Sequence, residues 1–218
     1  MTLETIQIET GANPTVSVIW MHGLGADGND FVPIVHELDL SGCPAIRFVF
    51  PNAPAIPVSI NGGAVMRAWY DIRNSDITSR EDAGGLRSSQ TAIDELIAQE
   101  IARGARKIIL AGFSQGCAMT LQTGLRQSTP LAGLLCLSGY LPLPQTLVSE
   151  RHANNQQVPI YLAHGRVDTV IPMQRAKESR DFLVQLGYQV EWHEYSMPHS
   201  VCLEEINDIS TWFKRVLA

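Results

Sequence analysis

Residues Gly112-Phe113-Ser114-Gln115-Gly116 stand between an apolar run, Lys107 to Ala111, and a helix-like run, Cys117 to Arg126. The pentapeptide is a G-x-S-x-G turn in a strand-turn-helix setting, and its meaning comes from that setting. A serine hydroxyl is a weak nucleophile at neutral pH, and a sharp turn at a strand's end lifts it to where a base can reach it. The two glycines let backbone pass close on either side of the strained residue. Without its flanks, the same pentapeptide would be a glycine-rich connection holding an ordinary serine.

Outward from this turn, apolar β-branched runs alternate with segments of helical period, and that alternation implies βαβ units around a mostly parallel sheet. The expected strands are Thr15 to Met21, Ile46 to Phe50, Lys107 to Ala111, Gly133 to Ser138, Val158 to His164 and Gln189 to Tyr195, with an edge strand around Ile6 to Glu9. Asn29 is placed to cap a helix carrying Phe31, Ile34, Val35 and Leu38 on one face. Ile93, Leu96, Ile97 and Ile101 form a second stripe that ends at Gly104. Further helices are expected over Gln115 to Arg126, Met173 to Leu186 and Cys202 to Val216. With 218 residues, 45% of them hydrophobic, and no repeat or linker, residues 1–218 are read as a single domain.

Pro51 to Arg87 breaks the pattern, being rich in Pro, Gly and Asn without a sustained period. Its apolar residues (Ile56, Val58, Met66, Trp69, Tyr70) argue for an ordered excursion over the sheet that lines a pocket. The alternative is a surface loop that these side chains anchor.

A serine so placed needs a base, and a carboxylate to orient that base. The α/β-hydrolase arrangement supplies them in the chain order Ser, Asp or Glu, His, from loops at the carboxyl ends of strands. Downstream of Ser114, the Val158 to His164 strand runs into a loop that holds Asp168. The Gln189 to Tyr195 strand runs into one that holds His199. Of the other histidines, His152 lies in a polar stretch, His36 is off its helix's apolar stripe and His193 is inside a strand. His164 is the main rival, with local support of the Asp168 loop as its structural alternative. Asp71 and Asp82 precede the serine and do not follow a later strand.

His22-Gly23-Leu24-Gly25-Ala26-Asp27-Gly28 satisfies G-x-G-x-x-G, the dinucleotide fingerprint. That reading requires an acidic residue at the end of the next strand, where Pro51-Asn52 stands instead. The same loop suits another role, in which the Leu24 backbone NH joins that of Gln115 as an oxyanion hole. Packing is the alternative for Leu24.

Net charge is −6 with Lys and Arg scattered singly, so no basic stripe exists to hold nucleic acid or an anionic membrane. Met1 to Thr10 lacks the build of a signal peptide, and no apolar run approaches the roughly 20 residues of a bilayer span. Cys43, Cys117, Cys136 and Cys202 are dispersed without a C-x-x-C pair, which fits reduced thiols and a cytoplasmic location. No metal-ligand pattern appears, and no cofactor is expected.

Taken together, H-G-L-G-A-D-G, M-R-A-W-Y-D-I (Met66 to Ile72), G-F-S-Q-G, H-G-x-x-D and M-P-H-S resemble the small carboxylesterases and acyl-protein thioesterases, in the family's order and over nearly the whole chain. The resemblance implies an α/β-hydrolase fold with helices on both faces of the sheet. It also implies that Ser114, Asp168 and His199 form a catalytic triad. Its implied substrates are short-to-medium acyl esters, with thioesters and lysophospholipids as further candidates, and it leaves a homodimer open. One departure is Cys117, where the family often carries glycine. Gly139 to Gln157 is too short for a helical lid domain, so an open site is expected. Leu24, Val58, Trp69 and Val170 are candidates for shaping the acyl pocket, with core packing the alternative for each. A non-catalytic binder of the same fold would be expected to lack a triad member, and none is missing.

Overall fold

The computed structural model describes residues 3–73 and 81–218. Its main sheet has seven strands: β1 (Thr5–Glu9), β2 (Val16–Met21), β3 (Ile46–Pro51), β6 (Lys107–Phe113), β7 (Gly133–Leu137), β8 (Ile160–Gly165) and β9 (Val190–Tyr195). Their spatial order is β1-β3-β2-β6-β7-β8-β9, with β1 antiparallel to β3 and every other pair parallel. β2, β3, β7 and β8 are buried throughout, which is why each appears in the sequence as a continuous apolar run and not as an alternation.

Successive side chains still divide between the two faces. Ile19, Met21, Leu110 and Leu134 pack under α2 (Ala83–Ala102), α3 (Gln115–Gly124), α4 (Pro144–Glu150) and α5 (Met173–Gln185). Val18, Trp20, Phe48 and Ile109 pack under α1 (Ile34–Glu37) and α6 (Leu203–Leu217), the latter through Ile209, Trp212, Phe213 and Leu217. This is an α/β-hydrolase fold with helices on both faces and, among the described residues, no large lid domain. Gly104 (φ 100°) and Gly187 (φ 87°) close α2 and α5 in the left-handed region, where glycine is free of the Cβ penalty.

Two expectations need correction. The helix expected from Asn29 reduces to the four residues of α1, and Asn29 does not cap it. The Asn29 backbone and side-chain nitrogens instead donate to Asp27 Oδ1, at 2.8 and 3.1 Å, making a local turn. Pro33 then disfavours helical geometry in the residue before it. The second concerns Pro51 to Arg87, which contains an antiparallel hairpin, β4 (Ala55–Val58) with β5 (Ala64–Arg67), turning at Gly62 and Gly63. Residues 74–80 of that stretch lie outside the described residues. α4 was not foreseen. It starts with Pro144 at its first position, where the missing NH is harmless.

Candidate active site

The loops after β2, β6, β7, β8 and β9 lie at the carboxyl ends of the parallel strands, where open α/β sheets place their ligands. At the end of β6, Ser114 has φ 57° and ψ −117°, a strained backbone for a residue with a side chain. It is held there by its own NH, which donates to Leu137 O at 2.9 Å, and by the Ala118 NH, which donates to Ser114 O at 3.2 Å. Its side chain does not cap α3. Crowding explains the two glycines of the turn: a Cβ on Gly112 would lie 2.2 Å from Gly116 backbone, and one on Gly116 would lie 2.0 Å from Met21 O.

Asp168 and His199 meet. Asp168 Oδ1 accepts from the Val170 and Ile171 amides at 2.8 and 2.9 Å, which leaves Oδ2 facing His199 Nδ1 at 2.7 Å. The carboxylate is buried, whereas the His199 side chain is 15% exposed and its ring lies 4.7 Å from that of Phe113, Ser114's neighbour. The two loops are tied together by Arg166 NH to Tyr195 O and Val167 NH to Met197 O. Gly165 makes this possible, because a Cβ there would lie 2.3 Å from Met197 O.

His164 occupies the supporting position. Its Nε2 donates to Ile171 O at 2.8 Å and lies 3.3 Å from Asp168 Oδ2, while the ring is wholly buried. Burial lowers its pKa, so it braces the acid loop as a neutral imidazole at pH 7. His22 is a second buried brace with a lowered pKa. It accepts from the Ala53 amide at Nε2 (3.0 Å), so its Nδ1 carries the proton donated to Gly23 O (2.7 Å).

Around His22 the glycine loop is fixed on three sides. Trp69 Nε1 donates to His22 O at 2.9 Å, the Gly25 NH to Arg67 O at 2.9 Å, and the Gly28 NH to Asn52 Oδ1 at 2.8 Å. Asn52, which stands where a dinucleotide site would need its carboxylate, is used to hold the loop. Gly23 lies so close to the nucleophile turn that a Cβ on it would be 3.3 Å from Ser114 Cβ. The Leu24 and Gln115 amides donate to no described residue. The Gln115 side chain is buried, accepting from the Trp69 amide at 3.0 Å and donating to Tyr70 O at 2.9 Å.

A cavity of about 300 Å³ opens beside Ser114. Leu24 and Val170, candidates for the acyl pocket, line it, as does Gln115, expected as an oxyanion donor. Val58 and Trp69 do not: both are wholly packed in the interior, Trp69 being used to pin His22 and Gln115. Ile72, Tyr140 and Ile171 also line the cavity and were not singled out, and Tyr70 reaches it from the excursion expected to line a pocket. Tyr140 was within reach of sequence reasoning, since it follows β7 at the same edge of the sheet as the nucleophile. Among the described residues no helix is long and apolar enough to cross a membrane.

The family model for Phospholipase/Carboxylesterase matches residues 3–217. Acyl-protein thioesterase 1 of Yarrowia lipolytica is 38% identical over 216 residues, covering 96% of this chain and 95% of that protein. The crystal structure of Arabidopsis thaliana SOBER1 superposes with a TM-score of 0.88 at 31% identity, covering 93% of this chain and 99% of that one. Zea mays acyl-protein thioesterase 2 gives a TM-score of 0.88 at 26% identity, covering 99% of both chains. By its fold, by the geometry at the carboxyl edge of its sheet and by these matches, the chain belongs to the phospholipase/carboxylesterase family.

Proposed function

We propose that this protein is a serine hydrolase that cleaves carboxylic esters and thioesters through an acyl enzyme, with Ser114 as nucleophile, His199 as base and Asp168 as the residue that orients the base. The observation that carries this reading is the 2.7 Å contact between Asp168 Oδ2 and His199 Nδ1, made by a carboxylate whose other oxygen is already held by two amides. With the Nδ1 proton directed at Asp168, the Nε2 lone pair is left to take the Ser114 proton as Oγ attacks the acyl carbonyl. The developing oxyanion is received by the Leu24 and Gln115 amides, which have no competing acceptor among the described residues. The alcohol or thiol leaves with the proton returned by His199. Water, activated by the same imidazole, then releases the acid.

The substrate class we infer is a small-molecule acyl ester or an acylated partner of short-to-medium chain. The mostly apolar lining beside Ser114 and the absence of a large lid domain support it, as does the likeness to acyl-protein thioesterases. The four cysteines are free, which supports a reducing, cytoplasmic setting. Ser114→Ala is expected to lower kcat on para-nitrophenyl and thioester substrates by at least about 10⁴-fold and to abolish labelling by a fluorophosphonate probe. Near-normal turnover by the purified variant would refute the assignment.

A further inference from the structure

Two phenols, Tyr70 and Tyr140, stand among the otherwise largely apolar lining of the Ser114 cavity. They arrive from different elements, Tyr70 after β5 and Tyr140 after β7. Each is only 3% exposed, and their hydroxyl oxygens lie 2.9 Å apart. Burial foremost, helped by the negative field of Glu81, pushes Tyr140 up to about 12 and Tyr70 well above the ordinary phenol, so both keep their protons at neutral pH. Two hydroxyls hold two protons, and the bond between them uses one. The other has no acceptor among the described residues: the nearby Glu81 takes the Leu143 amide at Oε2, and its Oε1 is without a partner. The Arg175 guanidinium, 5.1 Å above the Tyr140 ring, draws on that phenol and makes its OH a better donor.

An O–H shut away from water with nothing to bond carries a desolvation penalty. A plain alkyl chain filling this cavity imposes that penalty, and a chain with an acceptor oxygen at the same depth removes it. Resting on the reading of this cavity as the acyl site, we propose that the Tyr70–Tyr140 hydroxyl pair is a specificity element selecting acyl chains that carry an acceptor oxygen (hydroxyl, ether or oxo) beyond the β-carbon over plain alkyl chains of equal length. At about 30 Å³ for each water-sized group, the cavity holds on the order of ten chain atoms, enough for such a chain.

The test compares para-nitrophenyl octanoate with its oxa-analogues, in which an ether oxygen replaces one methylene at successive positions beyond the β-carbon. Ether analogues cannot lactonise, and dividing by hydroxide-catalysed rates removes electronic differences. At least one analogue is expected to exceed octanoate in kcat/KM by about tenfold, the effect of one well-placed hydrogen bond. In the Tyr70→Phe/Tyr140→Phe double variant that ratio is expected to fall to one or below. If the double variant does not fold, the single variants Tyr70→Phe and Tyr140→Phe are measured, with the ratio expected to fall in at least one. The proposal is overturned if octanoate is hydrolysed but no analogue exceeds it twofold, or if the preference persists in the variants that fold. Hydrolysis of none of these esters by the wild type would instead overturn the assignment of Ser114 as nucleophile.

Discussion

Asp168 is committed on every side. Two amides hold one oxygen, His199 meets the other, and His164 closes in from beneath at 3.3 Å. An asparagine would fit this space, yet its NH₂ cannot accept the His199 Nδ1 proton, and the imidazole would turn to the wrong tautomer. Asp168→Asn is therefore expected to lower kcat by about 10⁴-fold with KM little changed. Steady-state kinetics on a soluble ester checks this, and a loss below tenfold would contradict the proposed role. Ser114, Asp168 and His199 could be picked out as candidates because each lies in a loop that follows a strand expected from the sequence, in the order Ser, Asp, His. Gly165 was not legible as essential, because its lack of a side chain is required by Met197 backbone, which reaches it only in three dimensions.

Among elements, the joint between the β5 extension and α3 matters most to the site, and a single amide side chain makes it. Gln115 bonds Trp69 NH and Tyr70 O at once, so the first turn of the nucleophile helix is buttoned to the segment that carries a cavity-lining phenol. Gln115→Leu would leave both backbone groups buried and unpaired, at about 1–3 kcal/mol each. Its expected signature is a stability loss of about 2–6 kcal/mol in urea titration together with a fall in kcat, because the Gln115 NH is a proposed oxyanion donor. A variant of unchanged midpoint would show that water replaces both bonds. The β4–β5 hairpin that leads to this joint escaped the sequence reading for a physical reason. Its strands are four residues long and mostly exposed or half-buried, and Pro57 lies in one of them, so neither a buried run nor a clean alternation survives. α1 was misjudged the other way: its apolar stripe is real and buried, but Phe31 serves by stacking on Trp20 from a turn, at 5.3 Å, not from a helix.

For the molecule as a whole, Glu205 sets a pH dependence of folding. Its side chain on α6 is fully buried and neither oxygen has a hydrogen-bond partner among the described residues. Burial foremost, with the Asp208 charge adding to it, raises its pKa to about 8. An unfolded glutamate titrates at about 4.3. Between these values the folded protein holds a proton that the unfolded chain has released, so stability falls as pH rises through the window and levels off above about 8. Glu205→Gln stays neutral throughout. It is expected to raise the melting midpoint at pH 8 by several degrees, with little change near pH 5, and equal shifts at both would rule out this source.

The wider architecture was readable because β2, β3, β7 and β8 are wholly buried runs and the stripes of α2 and α5 are closed by left-handed glycines, both local signals. The sheet order was not readable residue by residue. It follows from the handedness of parallel crossovers and from which faces the helices cover.

That order has a consequence in time. Ser114, the proposed nucleophile, follows the fourth strand from one edge, Asp168 follows β8, and His199, the proposed base, follows β9 at the far edge. On a ribosome, the chain therefore exposes its serine long before the imidazole that would activate it has been made. On these proposed roles, a nascent chain is expected to stay chemically silent until its last strand docks. Onset of ester cleavage during refolding or translation should then report completion of the sheet.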